Sequence, residues 1–302
     1  MTGTAMTGRV MRATDGAAGA TETGPGGAQP GDTQPDDAFP IADVAPEDLP
    51  ARLTAWLNRS DRDMTSQNLK PRDAATLIVI DRSGTTPSVL MGRRHAGLKF
   101  MPGKFVFPGG RVEPADRGVP AASELDPRMA ERLMLATQRP SLVKARAFAI
   151  AAVRETFEET GLMLGQAGAP WPAAWSATTR TASGDAALWD RFAQAGVLPD
   201  LSGLQLVARA ITPPRRPRRF DARFFAVDAT AIAGRVDGMV GPDSELVELV
   251  WMPLDDAERL DLPPITKTVL AELDHRIANG FTRDLPVPFY RFVRGRFVRT
   301  EL

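Results

Sequence analysis

The chain of 302 residues contains no cysteine and only two histidines, His95 and His275. The absence of cysteine excludes disulfides, thiolate nucleophiles and zinc–thiolate sites. Two histidines are too few for a metal site built from several imidazoles. A Ser-His-Asp triad would have to use one of these two. The composition therefore directs the search toward oxygen ligands and hard cations.

Long apolar runs and an excess of either charge are also missing. No stretch approaches about 18 consecutive apolar residues, and the N-terminus lacks a charged-then-apolar signal pattern, so we expect no membrane partner and a cytoplasmic location by default. Lys+Arg and Asp+Glu each number 37. This balance argues against nucleic-acid binding through a broad basic field, and the expected partner is a small molecule. The sequence does not decide between a monomer and a homodimer.

The composition changes twice along the chain. Residues 1–45 are rich in Gly, Ala, Thr, Pro and Asp without hydrophobic periodicity, which predicts a disordered arm. Residues 46–73 are interpreted as a short helix and a linker, and residues 74–302 as the folded domain. The apolar face predicted for the short helix consists of Ala51, Leu53, Trp56 and Leu57.

Hydrophobic periodicity and turn residues predict a mixture of strands and helices in the folded domain. Glycine and proline punctuate residues 100–110, so we interpret this segment as a loop around a short strand. The strands and helices do not alternate in a βαβ rhythm, which favours an α/β (α+β) arrangement around a mixed sheet. The predicted strands cover 75–80, 88–91, 105–107, 204–211, 223–227 and 245–251, the helices 126–136, 141–161 and 265–277, and a terminal hairpin 289–300.

Three glutamates share one side of the helix predicted to end at Gly161. At about 100° per residue, Glu155, Glu158 and Glu159 fall within an arc of roughly 100°, opposite the apolar side chains of the same helix. Such like charges repel by about 0.2–0.5 kcal/mol per close pair on an isolated helix. A divalent cation, Mg²⁺ or Mn²⁺, would remove that cost. The alternative is an ordinary solvated acidic face.

Residues around this helix resemble the Nudix box. Gly110, Asp116 and the run 154–162 (Arg-Glu-Thr-Phe-Glu-Glu-Thr-Gly-Leu) follow its order. Asp116 stands where the family has glutamate, and Thr156 where it has an aliphatic residue. The gap between Asp116 and Arg154 is about thirty residues longer than in the family pattern. An insertion there, about 117–147, resembles the branch of the peroxisomal coenzyme A diphosphatase and its bacterial relatives.

The resemblance implies a fold and a set of roles. The fold would be a Nudix α/β/α sandwich with a mixed central sheet, a helical insertion within the Nudix box and a C-terminal β-hairpin. Arg154 would orient the glutamates, as a bidentate guanidinium can. The metal ligands implied are the carbonyl of Gly109 and the carboxylates of Glu155, Glu158 and Glu159, with Glu158 also a catalytic candidate.

Residues outside the box supply the other candidates. Glu245 and Glu248 are candidates for a general base, and their alternative is a pair of exposed strand carboxylates. A substrate with phosphate groups needs cationic side chains. Candidates lie in the arginine-rich run 215–219 and in the segment before Gly109 and Gly110. The alternative interpretation is that these cations belong to solvated loops. These substrate-binding candidates are Arg94, Lys99, Arg218 and Arg219.

The resemblance implies a metal-dependent diphosphatase that hydrolyses the pyrophosphate of a nucleoside diphosphate linked to another moiety. Coenzyme A or its acyl thioesters are the first candidates, because Arg94, Gly103 and residues 107–110 keep the register of an accessory motif of coenzyme A diphosphatases. Met91, His95 and Lys99 depart from that motif. ADP-ribose or NADH-type dinucleotides are the alternative substrates, and a non-catalytic Nudix-fold binding or regulatory protein is the alternative class.

Overall fold

The structure is a computed structural model that describes residues 44–59, 67–173, 175 and 186–302. The arm expected over residues 1–45 lies, as far as residue 43, outside the described residues. Within the described part of the chain, no helix is both long and apolar enough to cross a membrane.

A mixed sheet forms the centre of the molecule. Its path runs β11-β2-β1-β9-β8-β12-β13, while β3 pairs with β2 and β4 with β1. The pairs β1–β9 and β8–β12 are parallel, and the other pairs of this sheet are antiparallel. Two small sheets, β5–β10 and β6–β7, accompany it. The strands are β1 (Arg72–Asp81), β2 (Ser88–Arg94), β3 (Phe105–Val106), β4 (Gly109–Arg111), β5 (Leu162–Leu164), β6 (Gln166–Ala167), β7 (Val197–Leu198), β8 (Gln205–Ile211), β9 (Phe220–Asp228), β10 (Ile232–Arg235), β11 (Leu246–Pro253), β12 (Pro288–Val293) and β13 (Arg296–Glu301).

Helices cover both faces of this sheet. Successive side chains of a strand point to opposite faces, so Leu77 and Val79 of β1 join one hydrophobic cluster while Ile78 joins the other. The first cluster includes the apolar residues of α3, and the second those of α1 and α5. This arrangement confirms the expected mixed α/β sandwich. The helices are α1 (Leu49–Arg59), α2 (Pro127–Met134), α3 (Leu142–Thr160), α4 (Ala186–Gln194) and α5 (Pro264–Ala278).

Local signals define both ends of α3, the helix of the three glutamates. The Ser141 hydroxyl accepts a hydrogen bond from the amide of Lys144 at 3.1 Å, which caps the N-terminus. Gly161 ends the helix at φ 76°, a left-handed conformation that glycine adopts readily. Any side chain there would also overlap the carbonyl of Val236.

The acidic side of α3, which carries Glu155, Glu158 and Glu159, is partly covered in the fold. Glu159 is buried, and so is the neighbouring Arg154, whereas Glu155 and Glu158 are partly exposed. Strand β4 and a short 3₁₀ helix, Pro114–Arg117, pack against this side of α3.

The segment between Arg117 and α3 contains α2 and is fixed to the sheet by two buried arginines. Arg209 donates to the carbonyls of Leu135 and Ala136 at 2.9 and 3.2 Å. Arg223 donates to the hydroxyl of Thr137 at 3.2 Å. The end of α2 is therefore held on strands β8 and β9.

The two ends of the described chain meet on one face. Leu49, Leu53 and Leu57 of α1 are buried beside α5 and β13, whereas Ala51 is exposed, so its place on the predicted apolar face is wrong. Strands β12 and β13 form the expected terminal hairpin, which turns at Arg294 and Gly295.

Candidate active site around Arg154

Arg154 lies at the centre of a buried ionic cluster. Its side chain is 2% exposed, and Asp116 beside it is fully buried. The guanidinium binds Asp116 through Nε at 2.9 Å and Nη2 at 3.2 Å. Nη1 donates to Glu155 at 2.9 Å and to Glu158 at 3.0 Å. One planar cation thus fixes three carboxylates from a helix and from the preceding 3₁₀ helix.

Glu155 packs against the glycine pair at the start of β4. A Cβ atom at Gly110 would overlap the carboxylate of Glu155, so this close approach requires glycine. Burial raises the pKa of Glu155 to about 7, although the charge of Arg154 opposes the rise. The neighbouring charge of Glu158 raises the pKa further.

Glu159 occupies a more enclosed position on the same helix. Its carboxylate accepts a hydrogen bond from the amide of Gly109 at 3.1 Å. Burial raises the pKa of Glu159 well above its ordinary value, and the nearby charges of Glu245 and Glu155 act in the same direction. Three carboxylates therefore lie near one another here, and Glu159 is the least exposed of them.

The two general-base candidates have different surroundings. Glu245 lies close enough to Glu159 to raise its pKa, and it forms an ion pair with Arg94 at 2.9 Å. Glu248 instead forms an exposed ion pair with Arg93 at 2.8 Å. The structure thus brings Glu245 into electrostatic contact with Glu159, whereas Glu248 pairs with Arg93.

The carboxylates do not converge on one point as they stand. Across residues 44–59, 67–173, 175 and 186–302, no three acidic or histidine side chains are arranged to hold a metal ion. Arg154 binds Glu155 and Glu158, while the Gly109 amide binds Glu159. The donor set nevertheless fits a hard divalent cation, because its members are carboxylates on one helix face whose mutual repulsion a cation would relieve.

The predicted substrate-binding cations divide into several environments. Arg94 donates to the carbonyl of Phe100 at 3.1 Å in addition to its ion pair, and Lys99 is exposed on the adjoining loop. Arg219 donates to the carbonyls of Thr212 and Leu69 and to the side chain of Asn68, at 2.6 to 3.0 Å. Arg218 is exposed and lines a separate cleft.

Sequence reasoning missed some residues of this region. Asp116 was matched to the box but given no role, although its burial beside Arg154 shows that it supports the cluster. Arg111, whose carbonyl accepts from Arg154 Nη2 at 2.8 Å, was not singled out. Its position directly after the glycine pair was the available signal. Gly109 and Gly110, interpreted as part of a loop, belong to strand β4, which ends at Arg111.

No family model and no curated protein matches the chain. Solved structures of Nudix proteins are similar to it. A NUDIX hydrolase from Alicyclobacillus acidocaldarius shares 28% sequence identity, covering 69% of this chain and 96% of that chain with a TM-score of 0.48. A MutT NUDIX hydrolase from Burkholderia pseudomallei shares 17% identity, covering 68% and 99% with a TM-score of 0.37. The NUDIX domain of Shewanella oneidensis NrtR, complexed with ADP ribose, shares 10% identity, covering 74% and 97% with a TM-score of 0.37.

Proposed function

We propose that the chain is a metal-dependent diphosphatase of the Nudix type, which hydrolyses the P–O–P linkage of a nucleoside diphosphate joined to another moiety. The observation that carries this proposal is the buried Arg154 cluster. It holds the carboxylates of Glu155 and Glu158 on one side of α3, next to Glu159 and Glu245. A surface acidic patch would need neither a buried arginine nor a buried Asp116.

The residues that would hold Mg²⁺ or Mn²⁺ are Glu155, Glu158 and Glu159, with the backbone at Gly109 as a further candidate. When bound, such a cation neutralises the charge of the diphosphate and lowers the pKa of water. The raised pKa values of Glu155 and Glu159 support this assignment, since a cation offsets the repulsion that contributes to them.

Side chains of the protein orient the carboxylates and accept a proton. Arg154 holds Glu155 and Glu158 in fixed orientations, and Asp116 balances the buried guanidinium charge. Glu245 is the favoured general base, because it faces Glu159 and its side chain is 51% exposed to water. In the proposed step, the water oxygen bonds to one phosphorus, the P–O–P bond breaks, and Glu245 takes the water proton.

Coenzyme A and its thioesters remain the first substrate candidates, because the residues around Arg94 resemble the accessory motif of coenzyme A diphosphatases. ADP-ribose and NADH-type dinucleotides are the alternatives within the same reaction. A non-catalytic Nudix-fold regulatory protein is the competing class, and the experiment below separates it from an enzyme.

The first prediction is that Glu158→Gln lowers Mg²⁺-dependent hydrolysis at least about 100-fold, because one anionic oxygen ligand is lost. Product release from coenzyme A, ADP-ribose and NADH is measured by chromatography. Glu131→Gln, on the exposed side of α2, is the matched control and should keep full activity. Melting temperatures establish that both variants fold. Glu158→Gln activity within threefold of wild type, or no turnover of any substrate by the wild type, would contradict the proposal.

A further inference from the structure

A cleft of about 650 Å³ opens beside the Arg154 cluster, and its charge is of one sign. Its volume lies within the range of small-molecule sites. Among the described residues, no acidic side chain lines it, and its other lining residues are apolar. The cationic residues that line it are Lys70, Arg72, Arg111, Arg218 and Arg219.

The fold places most of these cations at the ends of three neighbouring strands. Strand β1 begins at Arg72, β9 begins at Phe220, and β4 ends at Arg111. Arg72 pairs with Phe220, and Ala74 with Arg111. The amide of Arg72 also donates to the carbonyl of Arg219 at 2.9 Å. Because the strand pairing fixes these backbones, the fold itself places the positive charge at this end of the sheet.

Not all five cations are equally available to a ligand. The guanidinium of Arg219 already donates to Thr212, Asn68 and Leu69, so it supports the wall of the cleft. Lys70, Arg72, Arg111 and Arg218 are exposed. These four side chains can provide charge-assisted hydrogen bonds to an anion.

The cleft is close to the carboxylate cluster but distinct from it. Gly110 faces Glu155, so strand alternation places the side chain of Arg111 on the opposite face of β4. From Gly109 to Arg111 the strand advances about 7 Å. A diphosphate beside Glu155 would therefore not fill the cleft. A second anionic group of the same molecule, reaching over the edge of β4, could fill it.

We propose that this cleft binds a phosphate group of the substrate other than those of the diphosphate linkage. This inference rests on the proposed function. It selects nucleotides that carry an additional phosphate on the ribose, a class to which coenzyme A belongs and ADP-ribose does not. Phe220 and the neighbouring apolar residues form a wall against which a ribose or base can pack.

Binding without turnover tests the cleft independently of the reaction. Isothermal titration calorimetry in EDTA compares adenosine 3′,5′-bisphosphate with adenosine 5′-monophosphate. The wild type should bind the bisphosphate at least about 10-fold more tightly, and Arg72→Ala or Arg218→Ala should remove most of this preference. Arg215→Ala, an exposed arginine three residues earlier that does not line the cleft, should keep it. No preference in the wild type, or an undiminished preference in both variants, would overturn the proposal.

Kinetics then test whether the anion belongs to the substrate. Arg218→Ala should lower kcat/KM about 10-fold for coenzyme A and less than twofold for dephospho-coenzyme A, which lacks the ribose phosphate. If bisphosphate binding depends on Arg218 but kcat/KM falls equally on the two substrates, Arg218 serves a group that both share. If kcat/KM falls on neither, the anion site is unrelated to the substrate, and either result overturns the assignment. Absence of all turnover would refute the diphosphatase while the calorimetry still decides whether the cleft binds phosphate.

Discussion

Arg154 explains why carboxylates that repel one another can be kept together in a largely buried place. Its guanidinium has donors on several edges, and the structure uses Nε and Nη2 for Asp116 and Nη1 for Glu155 and Glu158. Lysine would offer one point charge and could not hold the same set in fixed orientations. The buried pair with Asp116 leaves this arginine little freedom to move away when a ligand arrives.

The raised pKa of Glu155 makes the stability of the metal-free protein depend on pH. Its pKa rises from 4.5 to about 7 on folding, so the native state binds more protons than the unfolded chain between these values. With respect to this group, stability should therefore be highest below pH 4.5 and should fall by on the order of 3 kcal/mol as the pH rises from there through 7. Urea unfolding in EDTA at pH 5, 6, 7 and 8 measures the change.

Two comparisons isolate Glu155 from the other titrating groups. Glu155→Gln should show a smaller loss of stability between pH 5 and 8 than the wild type, because the amide does not titrate. Saturating Mg²⁺ should reduce the loss in the wild type, since the cation favours the charged carboxylate. Parallel pH profiles for wild type and variant would mean that Glu155 is ionised without penalty in the fold.

At the scale of elements, most of the longer strands and helices were predicted, whereas helix α4 and the short strands other than β3 were not. Ser141 and Gly161 predicted the ends of α3. The β-rich run 75–80 predicted β1, and the alternation in 245–251 predicted β11. Strand β4 has three residues, of which Gly109 and Gly110 are poor strand formers. Those glycines are extended because they pair with β1 and leave room for Glu155. Both are tertiary contacts, which the local sequence does not reveal.

The candidate site was predictable where its residues follow one another on one helix. The 3.6-residue period brings Glu155, Glu158 and Glu159 to one side, whatever the rest of the fold does. The environment of Glu245 and Glu248 depends on how β11 pairs with β2, where the register shifts between Leu246 and Glu248. A bulge of this kind changes which side chains face the site, and it has no signature in the periodicity.

Helix α1 should be needed for stability, whereas the residues before it should not. Leu49, Leu53 and Leu57 are buried in the same cluster as α5, and burying each leucine contributes about 1.5–3 kcal/mol. Deleting residues 1–43 should leave the melting temperature within about 2 °C, because their composition cannot supply a core. Deleting residues 1–59 should lower it by more than about 10 °C.

Calorimetry of the two truncated proteins checks this expectation, and Leu53→Ala in the full chain is the point-mutant counterpart. That substitution should cost about 2–5 kcal/mol of unfolding free energy, since a cavity remains between α1 and the core. Ala55→Ser, on the exposed side of the same helix, is the control. A strong destabilisation by the shorter deletion would show that the N-terminal residues contribute to the fold.

For the whole molecule, zero net charge conceals a separation of charge. The 37 basic and 37 acidic residues cancel in total. Around β4, however, the carboxylates of α3 lie on one side and the cations of the cleft on the other. Counting charges along the sequence could not reveal this separation. Arg72, Arg111 and Arg218 come from three distant segments that meet only in the folded protein.

This separation predicts that salt acts locally on the proposed reaction. A molecule without net charge should not steer an anionic substrate over long distances, so any salt effect should come from the exposed cations of the cleft. Raising NaCl from 20 to 500 mM at constant free Mg²⁺ should lower kcat/KM for coenzyme A about three- to tenfold, since the Debye length falls from about 20 Å to about 4 Å. The effect should be weaker in Arg72→Ala and Arg218→Ala, and unchanged in Arg215→Ala. If all four proteins respond equally to salt, the cations of the cleft are not its source, and general screening at the carboxylate cluster is the better explanation.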